Sequence, residues 1–360
     1  MTVSRRDFVK NSLLTGGALL TFPACTRPPD GAAASFQPAY ARLEEEGKFE
    51  ARVEEAQEML QECRICPRLC GVNRVEGATG FCRSPEKTVL YNYGPHLGEE
   101  IPLIGRRGSG TIFFSNCSLR CVFCQNWPTA HVGRGQQVTD EMLAAIMLEV
   151  QRMGCHNINL VTPTHVMPSI LRATRLALHR GLRLPLVYNT GGYERPEIIR
   201  LLDGIVDIYL PDVKYMDGNM AARYSADAKD YPEMAKASVL EMQRQVGTLV
   251  TDSNGIAQRG LMIRHLVLPN RVAGTKELVE WVAGEFPKDT YINIMAQYRV
   301  EYEAFNYPQI ARAIRPDEFV EAMEWAMAAG LTNLDSRSVS QWQVYRRRSS
   351  EDQDHIPGMT

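Results

Sequence analysis

From residue 110 onward, short apolar runs alternate with longer stretches in which apolar residues recur every three or four positions. Runs rich in β-branched and aromatic side chains are strand signals, while the longer period is that of a helix packed on one face. The pattern predicts strands over 111–114, 157–161, 185–188, 205–210, 261–268 and 291–295. It predicts helices over 139–153, 168–180, from Pro196 onward, and over 233–246, 276–284 and 317–329. In the first of these helices Thr139 is placed to cap the N-terminus and Asp140 and Glu141 fill the first turn. Leu143, Ile146, Met147 and Val150 make one stripe. Six strands alternating with six helices argue for parallel βαβ units. Crossovers of one hand would then curl the sheet toward a barrel. The expected class is α/β, a partial (β/α)6 TIM-like barrel with a small cysteine-rich N-terminal extension. A doubly wound open sheet is the alternative.

The N-terminal third follows other rules. A Glu-rich segment over 40–62, with Leu43, Phe49, Val53, Ala56 and Leu60, predicts an amphipathic helix. A stretch rich in Cys, Gly and Arg follows to about residue 100 with no clear period, and an irregular subdomain is expected there. At the very start, Arg5 and Arg6 precede Phe8, Lys10 and a mildly apolar run over 13–22, a pattern that resembles a twin-arginine export signal. Cys25 stands in a degenerate lipoprotein box, so membrane anchoring through that residue is one reading; Ala32-Ala33-Ala34 offers an ordinary cleavage site. Export to the periplasm or to a membrane surface is therefore expected, with the cytoplasm as the alternative. The segments divide as 1–34 signal and linker, 35–105 helix and cysteine-rich subdomain, 106–335 barrel and 336–360 tail. The run Arg346-Arg347-Arg348 is followed by acids and reads as a solvated end. With a formal charge of −2 and scattered basic residues, no footprint for nucleic acid is expected.

In a βα barrel, chemistry gathers at the C-terminal ends of the strands. The unusual polar residues fall there: Cys117 after the first strand, Thr162, Thr164 and His165 after the second, and Asn189 to Gly192 after the third. Asp212 and Lys214 follow the fourth, and Gln297 and Tyr298 the last. Cys117, Cys121 and Cys124 stand at spacings of four and three residues. Soft thiolates at such spacings suit an iron–sulfur cluster. Three ligands on a [4Fe–4S] cluster leave one iron open to a substrate. Zinc with three thiolates and a water, or a disulfide with one cysteine over, are the alternatives.

The spacing, with the aromatic Phe123 just before the last cysteine, resembles the radical S-adenosylmethionine superfamily. Residues 110–117, the exit Cys124-Gln125-Asn126, residues 188–194, Pro211-Asp212-Val213-Lys214 and residues 264–269 are similar to a branch related to pyruvate formate-lyase activating enzymes. That resemblance spans roughly residues 60–330. It implies a [4Fe–4S] cluster on Cys117, Cys121 and Cys124, and S-adenosylmethionine bound beside it. It further implies reductive cleavage to a 5′-deoxyadenosyl radical that abstracts hydrogen, with the cofactors carrying the radical chemistry. Phe123, Asn189, Asp212 and Lys214 are implied cofactor contacts, Lys214 toward the methionyl carboxylate. The electron donor would be a low-potential protein of the flavodoxin or ferredoxin type, and the substrate a protein or small molecule. One departure stands out: where activases carry Gly-Gly-Glu after the second strand, this chain has Thr162-Pro163-Thr164-His165. His165 is equally a structural histidine on this reading.

Cys63, Cys66, Cys70 and Cys82 form a second set, with Pro67, Gly71, Gly77 and Gly80 supplying turns. A second metal, zinc or iron–sulfur, fits four close thiolates; two disulfides fit an exported protein. Cys155 reads as a small buried apolar residue. The glycines near 105–110 precede a strand and lack a following Gly-Lys-Ser/Thr, so a plain turn is expected there. A cluster-bearing electron-transfer or sensing protein, or a metal-stabilised binding module, remain alternatives to an enzyme.

Overall fold

A computed structural model describes residues 36–354. The arginine pair, the apolar run, Cys25 and the alanine triplet lie outside the described residues. All six apolar runs form strands: β2 (Ser109–Phe114), β4 (Ile158–Val161), β5 (Leu186–Thr190), β6 (Ile208–Pro211), β8 (Ala257–Leu266) and β9 (Tyr291–Met295). They pair in chain order, each parallel to the next. Winding in one direction rules out the doubly wound alternative. The sheet is not closed, because β9 pairs with β8 and the opposite end carries different strands. β5 and β6 are buried along their whole length, which explains why they read as continuous apolar runs rather than alternating ones.

Three further strands were not predicted. β1 (Thr88–His96) runs antiparallel to β2, and β3 (Gln136–Val138) pairs with β1. β7 (Val250–Thr251) makes an antiparallel ribbon with β8. The stretch expected to be irregular thus contributes an edge to the main sheet. β1 hides its periodicity behind Asn92, Gly94 and Pro95 and a register shift between Leu90 and Asn92.

The helix expected over 40–62 is two helices, α1 (Ala39–Glu45) and α2 (Phe49–Glu58). Gly47 between them takes φ +70°, a left-handed conformation that glycine adopts without penalty and that ends the first helix. Short α3 (Ile101–Ile104) and α4 (Trp127–Ala130) precede α5 (Asp140–Arg152), where the Thr139 hydroxyl accepts the Met142 N–H as a cap. The remaining crossovers use α6 (Met167–His179), α7 (Pro196–Leu201), α8 (Gly218–Tyr224), α9 (Tyr231–Val246), α10 (Thr275–Glu285) and α11 (Pro316–Ala328). The expected solvated tail instead begins with α12 (Ser336–Asp354). Val339, Trp342 and Tyr345 pack against the core from it, and Tyr345 meets Phe319 edge-on. That helical stripe outweighs the charged run beyond it. Among the described residues no helix is long and apolar enough to cross a membrane.

Candidate active site

The loop after β2 is shaped by two residues in the left-handed region, Asn116 (φ +75°) and Arg120 (φ +49°). Its backbone is tied down from outside: Asn116 N–H donates to the Thr129 carbonyl, and Val122 N–H to the Tyr224 carbonyl. This brings Cys117, Cys121 and Cys124 to one wall of a cavity of about 280 Å³. Phe123, Asn189, Asp212 and Lys214, the four implied cofactor contacts, line the same cavity. Phe123 is wedged edge-on between Tyr215 and Tyr298.

The same cavity is lined by a half-buried chain of charge. Lys214 Nζ donates to Asp212 Oδ2 at 2.6 Å, and Arg264 Nε donates to Asp212 Oδ1 at 2.8 Å. Arg264 Nη2 reaches Asn189 Oδ1 at 2.7 Å and Nη1 reaches Glu99 at 3.4 Å. Burial pushes the Asp212 carboxyl up, but the charges of Arg264 and Lys214 overcome it and hold the group below the usual range. Asp212 is therefore ionised, and it fixes the Lys214 ammonium at the cavity. Tyr231 supports this wall from behind, its hydroxyl accepting the Lys214 N–H at 2.9 Å. Gly192 cannot be replaced there: it takes φ +79°, and an added β-carbon would lie 2.1 Å from the Asp212 carbonyl oxygen.

Arg264 and Glu194 carry more of this site than the sequence alone revealed. A cation inside the apolar run of β8 was the available signal for Arg264. Glu194 is fully buried, and its Oε1 accepts the hydroxyls of both Thr164 and Thr190 while Oε2 has no partner. The segment that departs from the activase pattern therefore splits. Thr162, at φ +60°, lines the cavity; Thr164 turns to Glu194. His165 lies beneath the cysteine loop, its Nε2 at 2.7 Å from the Ser115 carbonyl, and burial pulls the imidazole down to about 4. It is a structural residue and does not line the cavity.

Burial pushes the Glu194 carboxyl up to about 7. A raised folded-state value means the folded chain keeps this proton where the unfolded chain has lost it. The stability it contributes is whole below about pH 4.5 and is lost as the pH rises through 7. Wild type should therefore lose about 3 kcal/mol relative to Glu194→Gln across that window. Denaturant unfolding at a series of pH values measures the difference, and a flat difference would mean that Glu194 titrates normally.

The donor set fits a cluster. Three soft thiols share one wall, Cys117 Sγ accepts the Leu119 N–H at 3.4 Å and Cys121 Sγ accepts the Ser225 hydroxyl at 3.0 Å. Burial pushes Cys121 up to about 11 and Cys124 up to about 12, so each keeps its proton at neutral pH unless a metal takes its place. A cubane gives each thiolate its own iron, and three thiolates leave one iron open. Cys155 is buried in the main core, away from this site, as expected. Gly105 and Gly108 form a turn ahead of β2, with φ of +44° and +87°.

The chain is similar to several known proteins. The pattern of the radical SAM superfamily matches residues 111–237, from β2 into α9. An uncharacterized protein of Methanocaldococcus jannaschii is 32% identical over 287 residues, covering 77% of this chain and 78% of that one. Among solved structures, native anSMEcpe with bound AdoMet aligns at 10% identity over 59% of this chain and 57% of that one, with a TM-score of 0.41. Methylornithine synthase (PylB) aligns at 10% identity over 80% and 77%, with a TM-score of 0.38. With the superfamily pattern running through the strands that present Cys117, Cys121, Cys124 and Lys214, the chain belongs to the radical SAM superfamily, whose members use a [4Fe–4S] cluster and S-adenosylmethionine.

Proposed function

We propose that this enzyme abstracts hydrogen from a partner protein or a small molecule, in an oxidoreductase reaction of the activating-enzyme kind. The observation that carries the reading is the convergence of three cysteines and the Asp212–Lys214 pair on one cavity. When bound there, the reduced cluster and S-adenosylmethionine supply one-electron cleavage and a carbon radical able to take hydrogen. The chain's own residues do the rest. Lys214, held by Asp212, offers a fixed ammonium to a carboxylate, and Arg264 keeps Asp212 and Asn189 in place. Phe113, Leu119, Leu266 and Met295 line the remaining wall and keep bulk water from the reacting centre. The Thr162 segment and Asn189 offer oxygens for an amine, in place of the carboxylate that activases carry after the second strand.

The glycyl-radical role is the finer part of this reading, supported by the Asp-x-Lys strand end. Reduced, cofactor-loaded protein mixed with a glycyl-radical-type partner should leave a stable organic radical in the EPR spectrum that requires both proteins. Cofactor cleavage without such a radical would move the substrate to a small molecule. We further propose a flavodoxin- or ferredoxin-type donor and export through the Arg5-Arg6 signal. The double change Arg5→Lys and Arg6→Lys should then hold the full-length protein in the cytoplasm, as read by cell fractionation. Unchanged localisation would contradict export.

A further inference from the structure

The proposed reaction leaves the four N-terminal cysteines unused. Cys63, Cys66 and Cys82 are buried, Cys70 is half-buried, and all four are free. They sit on irregular chain that is folded back on itself. Cys63 N–H donates to the Val72 carbonyl and Gly71 N–H to the Cys63 carbonyl, at 2.9 and 3.0 Å. The Phe81 N–H donates to Cys70 Sγ at 3.2 Å, which draws the 80–82 segment onto the 63–71 turn. Gly80 is required at that approach, since an added β-carbon would lie 2.8 Å from Cys70 Sγ. Leu69 N–H donates to the Cys66 carbonyl at 3.1 Å, closing the turn that carries Cys66 and Cys70.

A second observation concerns the cations around this turn. Arg74 is only 1% exposed. Its two terminal nitrogens donate to the His165 and Pro85 carbonyls at 2.8 and 2.6 Å, and Nε has no partner. Among the described residues no carboxylate pairs with it, its partners being backbone carbonyls. Half-buried Arg68 donates to the Ser118 and Ser225 carbonyls, both at 3.0 Å, and lies 4.1 Å over the Phe81 ring, and no carboxylate among the described residues pairs with it. A buried guanidinium lacking a counter-charge is strongly unfavourable. Four thiols provide no such charge, and neither do two disulfides. Four thiolates on a metal centre provide it.

We propose that Cys63, Cys66, Cys70 and Cys82 ligate a second iron–sulfur cluster, whose negative charge Arg74 and Arg68 balance. Four cysteines would fill every iron of a cubane, so this centre stays closed where the first is open. Arg68 also joins the two centres. It holds the Ser118 carbonyl next to Cys117, and the carbonyl of Ser225, whose hydroxyl bonds Cys121 Sγ.

The proposal rests on these four ligands and not on the reading of the first site, and one experiment keeps the two apart. The full chain is produced with iron and zinc both supplied, purified without oxygen and reconstituted with iron and sulfide. Wild type should hold about eight irons and eight sulfides per chain, and the triple variant Cys117→Ser, Cys121→Ser, Cys124→Ser about four of each, with the Mössbauer signature of a cubane. A triple variant without iron, or with about one zinc in its place, overturns the proposal. So does thiol titration that finds two disulfides in the native protein. Failure of the first-site reading looks different: the triple variant would then keep as much iron as wild type. Because the triple variant leaves the N-terminal turn intact, the test does not depend on a variant that removes its own ligands.

Discussion

Cys121→Ala should lower 5′-deoxyadenosine formation by at least ~1000-fold, a loss of about 4 kcal/mol in transition-state stabilisation. Cys121 is the middle ligand of the loop and is buried beside Ser225, Tyr215 and Lys214. Nothing nearby can replace it, since Ser225 and Tyr215 are hard oxygen donors and Lys214 is committed to Asp212. The loop itself should survive, because only the Ser225 hydroxyl bonds the Cys121 thiol, while the backbone atoms of Asn116, Val122 and Cys124 keep their ties. The variant is therefore expected to stay folded and to lose only the site's share of iron. Iron analysis and product assay on the same preparation check this, and full activity with a full complement of iron would contradict the ligand assignment.

Arg264→Met should destabilise the protein by about 2–3 kcal/mol, because its half-buried pairs lie between exposed ones, worth about 1 kcal/mol or less, and fully buried ones, worth about 3–5 kcal/mol. The guanidinium spans Asp212, Asn189 and Glu99. Its loss leaves Asp212 with Lys214 alone, strips Asn189 Oδ1 of its donor and leaves Glu99 buried near Glu100 without a cation. Methionine fills comparable volume, so the cost is electrostatic rather than a cavity. Denaturant unfolding checks it against Arg271→Met, which removes an exposed pair with Glu321 and should cost less than about 1 kcal/mol. Similar losses for the two variants would show that partial burial adds nothing to the Arg264 network.

Much of this was visible in the sequence because two periods were clean. The six parallel strands and their helices came from apolar runs and helical stripes, and the cysteine loop from spacing alone. Asp212 and Lys214 could be placed because a strand end projects both into the mouth of the barrel. What escaped notice did so for local reasons. β1 was hidden by Asn92, Gly94 and Pro95, which break the alternation a half-buried strand shows. The 40–62 helix was drawn through Gly47, whose left-handed backbone divides it. In α12 the charge of the Arg346 run masked the stripe of Val339, Trp342 and Tyr345. Arg264 and Glu194 act through partners 52 and 30 residues distant, which no local pattern encodes.

The most direct test of the account is made on anaerobically reconstituted protein carrying a confirmed [4Fe–4S] signal. Dithionite and S-adenosylmethionine are added, and 5′-deoxyadenosine is quantified by chromatography. The site described here predicts product in wild type that is lost in Cys121→Ala. Cluster-loaded wild type that forms none would contradict it.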